Sequence, residues 1–160
     1  MGVLLSKRCA AEPKTLDDFL GIPAGNLFAV LNNIALPAWV LLAVLPKWRT
    51  TLSLTLVPVY VYAVSYIALM LHFLAKEGLD LGAFASLDGI ATAFKNDVLL
   101  LAGWLHYLAF DLLVGREIVR DAASRNVPHV LVVPCLFLTL MAGPIGWLLY
   151  QGVRRITLAC

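Results

Sequence analysis

Charge is the scarcest commodity in this chain: only 14% of its 160 residues are Asp, Glu, Lys or Arg, whereas 61% are hydrophobic. Soluble domains carry about 25% charged residues, so an ordinary aqueous globule is excluded. Twelve cations against ten acids leave a net charge of +2. No basic stripe interleaved with aromatics accompanies it, which removes nucleic-acid binding. Cysteine is sparse as well. Cys9, Cys135 and Cys160 are far apart, odd in number and outside any CxxC spacing, so neither a disulfide framework nor a zinc site is indicated. His72, His106 and His129 are equally scattered. Without HExxH or paired Glu-x-x-His, no catalytic metal is expected. GxGxxG, P-loop and GxSxG patterns are missing, and no lysine lies centrally in an apolar run. Nucleotide-driven, hydride-transfer and retinal Schiff-base chemistry are thereby disfavoured, and the expectation is no cofactor.

Long apolar runs are what the chain has. A bilayer core about 30 Å thick needs roughly 20 apolar helical residues, and four such runs stand between charged or Pro/Gly-rich punctuation, at about 26–45, 52–74, 97–119 and 130–150. The expected architecture is an all-α integral membrane bundle of four transmembrane helices occupying 26–153, with tails at 1–25 and 154–160. Between the second and third runs, Leu87, Ile90, Ala91 and Phe94 recur at helical spacing behind a capping Ser86. That pattern predicts a short helix, lying either at the membrane interface or in a soluble linker. With four spans both termini share a side. The cations then divide as Lys7, Arg8, Lys14, Lys76, Lys95, Arg154 and Arg155 against Lys47, Arg49, Arg116, Arg120 and Arg125, which leaves orientation undecided. Met1-Gly2-Val3-Leu4-Leu5-Ser6 fits the loose myristoylation pattern, with Lys7, Arg8 and Cys9 as a second anchoring signal, although a four-span protein gains little from one. No Arg/Ser-rich transit peptide precedes the first run.

Ionisable groups inside hydrocarbon are costly and call for a role. Asp111 is the main case, mid-run among Leu108, Ala109, Phe110, Leu112 and Leu113. At about 100° per residue, Gly103, Trp104, Tyr107, Asp111 and Gly115 share one helix face, which is expected to look into the bundle. Asp111 either hydrogen-bonds a neighbouring helix or serves as a proton donor. His106 lies about 140° from it on the same wheel, so the two are expected to meet only through a substrate or another helix. Asn26, Asn32 and Asn33 in the first run, and Tyr60, Tyr62, Ser65 and Tyr66 in the second, are either glue between spans or the polar points of a substrate groove. Pro37, Pro58, Pro134 and Pro144 disturb three of the runs, and Gly143-Pro144-Ile145-Gly146 is able to open the fourth outright.

Longer strings carry a resemblance. They are Leu101-Ala102-Gly103-Trp104, His106-Tyr107-Leu108-Ala109-Phe110-Asp111-Leu112, Gly115, Asp121, Pro128-His129, Val133-Pro134-Cys135-Leu136, Leu138-Thr139-Leu140, Gly143-Pro144 and Leu148-Leu149-Tyr150. Asn32, Leu36-Pro37, Trp39, Leu45-Pro46-Lys47-Trp48 and the stretch from Phe84 to Phe94 extend it towards the N-terminus. In these strings the chain resembles the "abscisic acid deficient four"-like membrane proteins, associated in plants with neoxanthin synthesis. The resemblance implies a cofactor-free carotenoid isomerase that rearranges the 5,6-epoxide of violaxanthin into the allene of neoxanthin. That reaction needs an acid for the epoxide oxygen and a base for the adjoining polyene C–H. Asp111 is the expected acid and His106 the base or its orienter, with Trp104 and Tyr107 on the polyene and Asn32, Asn33, Tyr62, Tyr66 and His129 lining the site. The alternatives are a non-catalytic carotenoid- or lipid-binding membrane subunit and a small proton-coupled transporter relaying through Asp111. Expected partners are a xanthophyll, membrane lipid, and a second copy or other carotenoid or photosynthetic membrane proteins, in a plastid membrane or a bacterial inner membrane.

Overall fold

The computed structural model describes residues 18–159 except Leu79. The lipidation pattern at Met1–Ser6, with Lys7, Arg8 and Cys9, lies outside the described residues. The fold is all-α apart from a two-residue antiparallel hairpin, β1 (Asp18–Phe19) with β2 (Ile22–Pro23), turned by Leu20 and Gly21 at φ of 52° and 79°. Six α-helices follow among the described residues, α1 (Ala24–Val44), α2 (Thr51–Leu54), α3 (Leu56–Glu77), α4 (Leu87–Ala93), α5 (Asp97–Ser124) and α6 (His129–Ala159), with a 3-10 helix at Leu81–Ala85 before α4. Four segments, namely α1, α2–α3 together, α5 and α6, are long and apolar enough to cross a membrane. Each begins within two residues of its expected start.

Local chemistry sets the ends. Pro46 closes off α1, and Gly78 at φ 78° ends α3. Ser86 caps α4 as expected, accepting from Gly89 N–H, and Asn96 caps α5 through the N–H groups of Val98 and Leu99. Beyond its expected end, α5 runs on to Ser124. Its charges pair along the helix there, Arg120 with Glu117 at 2.6 Å and Arg125 with Asp121 at 2.7 Å.

Helix α5 is the hub. Buried residues make up 56% of its most apolar window against 28, 28 and 33% for the other three, so α1, α3 and α6 pack around it. The outward faces carry Val30, Val40, Val64, Ile67, Leu71, Phe110 and Phe137, all exposed. Apolar side chains facing outward all along the bundle are what lipid contact requires, and the protein is an integral membrane protein.

Helix α6 is not one rod. Ala142 (φ −157°, ψ 53°) and Gly143 (φ 2°, ψ −73°) leave the helical region, with Pro144 as the first residue of the second arm. His129 Nε2 bonds the Ala43 carbonyl at 2.8 Å, at the foot of α1. The middle of α6 meets the middle of α5, where the Tyr107 hydroxyl donates to the Leu140 carbonyl at 3.1 Å. The second arm then returns to the foot of α5, where the Tyr150 hydroxyl donates to Asp121 Oδ2 at 2.7 Å and Arg154 reaches the same oxygen at 3.4 Å. A straight helix of this length would extend about 46 Å. It could not return to the level where it began. The arms touch backbone to backbone at Gly146, where a Cβ would collide with the Thr139 amide nitrogen and hydroxyl.

Candidate functional site: an apolar groove ending near a buried carboxyl

The expected stripe on α5 is realised contact by contact. Gly103 lets the Phe94 ring lie on the helix, and Gly115 does the same for Trp39. Between them, the Trp104 indole N–H donates to Asn32 Oδ1 at 3.1 Å, and its ring lies 5.9 Å from Phe28 and 5.4 Å from Tyr107. Ala24, Phe28, Phe94, Leu100, Trp104 and Tyr107 line a groove of about 440 Å³ between α1 and α5. It is open on its lipid side and almost wholly apolar, a surface suited to a hydrocarbon.

One helical turn below Tyr107, Asp111 is 8% exposed, and its Oδ2 atom has no hydrogen-bond partner among the described residues. Its carboxyl presses against Gly143 at the break in α6, where a Cβ would collide with Oδ1. The second arm starts at that contact. Tyr107 stands between groove and acid, bonded to Leu140 and also facing the Asp111 carboxyl. Buried unsatisfied carboxyl oxygens are rare and point to a function or an unfilled bond.

Other expected site residues lie elsewhere. The His106 ring packs on Phe110 (4.5 Å) and Tyr66 (5.9 Å), turned towards α3 and outward, and it does not meet Asp111. The two side chains do not touch directly, because five residues along a helix put them on different flanks. Tyr62, fully buried, donates to the Leu31 carbonyl at 3.1 Å. Asn33 bonds the Ala29 carbonyl of its own helix, and His129 fastens α6 to α1. These three, expected to line the groove, instead satisfy backbone carbonyls, as polar groups in lipid must. Tyr66 stays with His106, away from the groove. Asn32 does not line the groove either, but holds its Trp104 wall through the indole N–H. Sequence reasoning missed Phe28, which packs on Trp104, and Phe94, whose one signal is the glycine opposite, Gly103. It also noted Gly143 as a break without pairing it to Asp111.

At the foot of α5, Arg116 donates to the Leu52 carbonyl at 2.6 and 3.1 Å and to Thr55 Oγ1 at 3.0 Å, filling the α2–α3 junction. Asp121 gathers Arg125, Tyr150 and Arg154. Its hydrogen bond raises the Arg125 guanidinium pKa above the ordinary arginine value.

Fold and site together define a small polytopic helical membrane protein with an apolar groove beside a buried acid. The chain belongs to the ABA DEFICIENT 4-like family, whose sequence profile matches residues 26–150. It is 30% identical over 112 residues to the chloroplastic protein ABA DEFICIENT 4 of Arabidopsis thaliana, an alignment covering 65% of this chain and 50% of that protein. The chain thus spans half the length of the relative it matches. No solved structure matches it.

Proposed function

We propose that this protein converts a xanthophyll epoxide to an allenic carotenol, as the family's association with neoxanthin synthesis suggests, in a plastid or bacterial inner membrane. The observation that carries the reading is the groove itself: an apolar, lipid-open channel whose inner end, Tyr107, is one turn from a buried carboxyl with a free oxygen. A polyene lying along Phe28 and Trp104 brings its end ring first to Tyr107 and then to Asp111. The protonated carboxyl gives its proton to the epoxide oxygen as the C6–O bond opens, and that oxygen remains on C5 as a hydroxyl. Loss of the proton from C7 then makes the cumulated double bonds. Proton in and proton out cancel, so the product is an isomer. With His106 on another flank, the second oxygen of the same carboxyl collects the departing proton.

The test is violaxanthin supplied to the protein in liposomes, with products separated by chromatography. Neoxanthin should form, and Asp111→Asn should lower its rate by about 100-fold or more, the usual contribution of a positioned acid. Undiminished turnover in a folded Asp111→Asn variant would remove Asp111 from the mechanism. The absence of a second carboxyl or an imidazole beside Asp111 among the described residues favours one rival, a carotenoid-binding subunit without chemistry. Violaxanthin that co-purifies unchanged in every lipid tested would select it.

A further inference from the structure

We infer that α6 enters and leaves the membrane by the same face, so that the two ends of the described chain lie on opposite sides. Helix α6 is as long and apolar as a spanning helix; what differs is where its ends lie. Three independent contacts fix its course. It starts beside Ala43, with Val127 N–H bonded to the Ala122 carbonyl just before it. Its tip meets Tyr107 and Asp111 at mid-depth. It comes back to Asp121 through Tyr150 and Arg154. Gly146 crossing the Cys135–Thr139 backbone excludes an open bend, since residues 7 and 11 positions apart in a continuous helix never touch. Lipid tolerates a broken helix only where its freed backbone groups are buried in protein. Here the inner side of the tip is held in protein, with the Tyr107 hydroxyl on the Leu140 carbonyl and Gly143 buried against the Asp111 carboxyl, while Met141 and Ile145 face outward.

The hairpin changes the charge count. Arg154 and Arg155 move to the face of the α1–α2 connection and join Lys47, Arg49, Arg116, Arg120 and Arg125, seven in all, against two Lys or Arg residues, Lys76 and Lys95, on the other face among the described residues. The cation-rich face is therefore the cytoplasmic one, or its stromal equivalent. The groove at Ala24, Phe28 and Trp104 opens in the opposite leaflet.

Impermeant maleimide labelling tests this in a bacterial host, using the full chain with Cys9, Cys135 and Cys160 replaced by Ser, Ala and Ser. Single cysteines go at the exposed positions Thr50, Leu87, Ser124 and Ile156. In intact spheroplasts only Leu87→Cys should label. In inverted vesicles Thr50→Cys, Ser124→Cys and Ile156→Cys should label together. Ile156→Cys labelling with Leu87→Cys overturns the hairpin, whereas a mirrored pattern upholds it and overturns the orientation. Should the cysteine-free background misfold, epitope tags on the two ends of the unaltered chain replace it. Proteolysis of both tags from one side contradicts the proposal, and of one tag from each side supports it.

Discussion

Asp111 and Gly143 are separated by 32 residues of sequence and meet in the middle of the bundle. Asp111 was conspicuous in the sequence because a lone carboxyl among leucines has no solvent to satisfy it. Its neighbour was not, because a glycine advertises only the space it leaves. Gly143→Ala sets a methyl group on the carboxyl. A displacement of about 1 Å at a reacting group costs on the order of 100-fold, so turnover in the pigment assay should fall by that order while pigment binding persists. His106→Ala should leave turnover near that of the parent, because its ring packs on Phe110 and Tyr66, on a different flank from Asp111; a loss equal to that of Asp111→Asn would restore His106 to the mechanism. Tyr62→Phe removes one interhelical bond to the Leu31 carbonyl. Bonds of this kind in membranes average about 0.6 kcal/mol, and reversible unfolding in mixed micelles should register a loss of that size with activity intact.

Breaks in helices have local causes that the sequence displays and spatial consequences that it conceals. Prolines at 37, 58, 134 and 144 look alike on paper. Pro58 sits in the first turn of α3, where its missing N–H costs nothing, and Pro37 is absorbed within α1. Only beside Gly143 does proline coincide with a reversal, because Gly146 then allows the two arms to close. Gly146→Leu should drive them apart, at about 1–3 kcal/mol for overpacking, and lower the unfolding midpoint. The same change at Gly152, which has open space around it, should be nearly silent. Equal effects at the two positions would argue against close arm packing. The helix of 87–93 and its Ser86 cap were legible because they obey a local rule.

The groove belongs to the whole molecule. Its walls come from α1, from Phe94 just past α4, and from α5, and no single segment contains its outline. Leu100 is half exposed on its rim. Leu100→Trp should fill it without touching Asp111, raising KM for the carotenoid at least about tenfold, the usual scale for lost apolar pocket contacts, with kcat preserved. A fall in kcat alone would place the substrate elsewhere.

Composition and the spacing of apolar runs were enough to dictate a helical membrane protein, its four long apolar segments and the acid at their centre. Lipid demands unbroken apolar stretches and internally satisfied backbone, and both demands are local. Which polar side chains line a groove and which merely tie helices together was decided only by packing, as Tyr62, Asn33 and His129 illustrate. So was the reversal of α6. Whether a glycine–proline break bends a helix slightly or folds it back depends on what stands opposite, here Tyr107, Asp111 and Asp121 on α5.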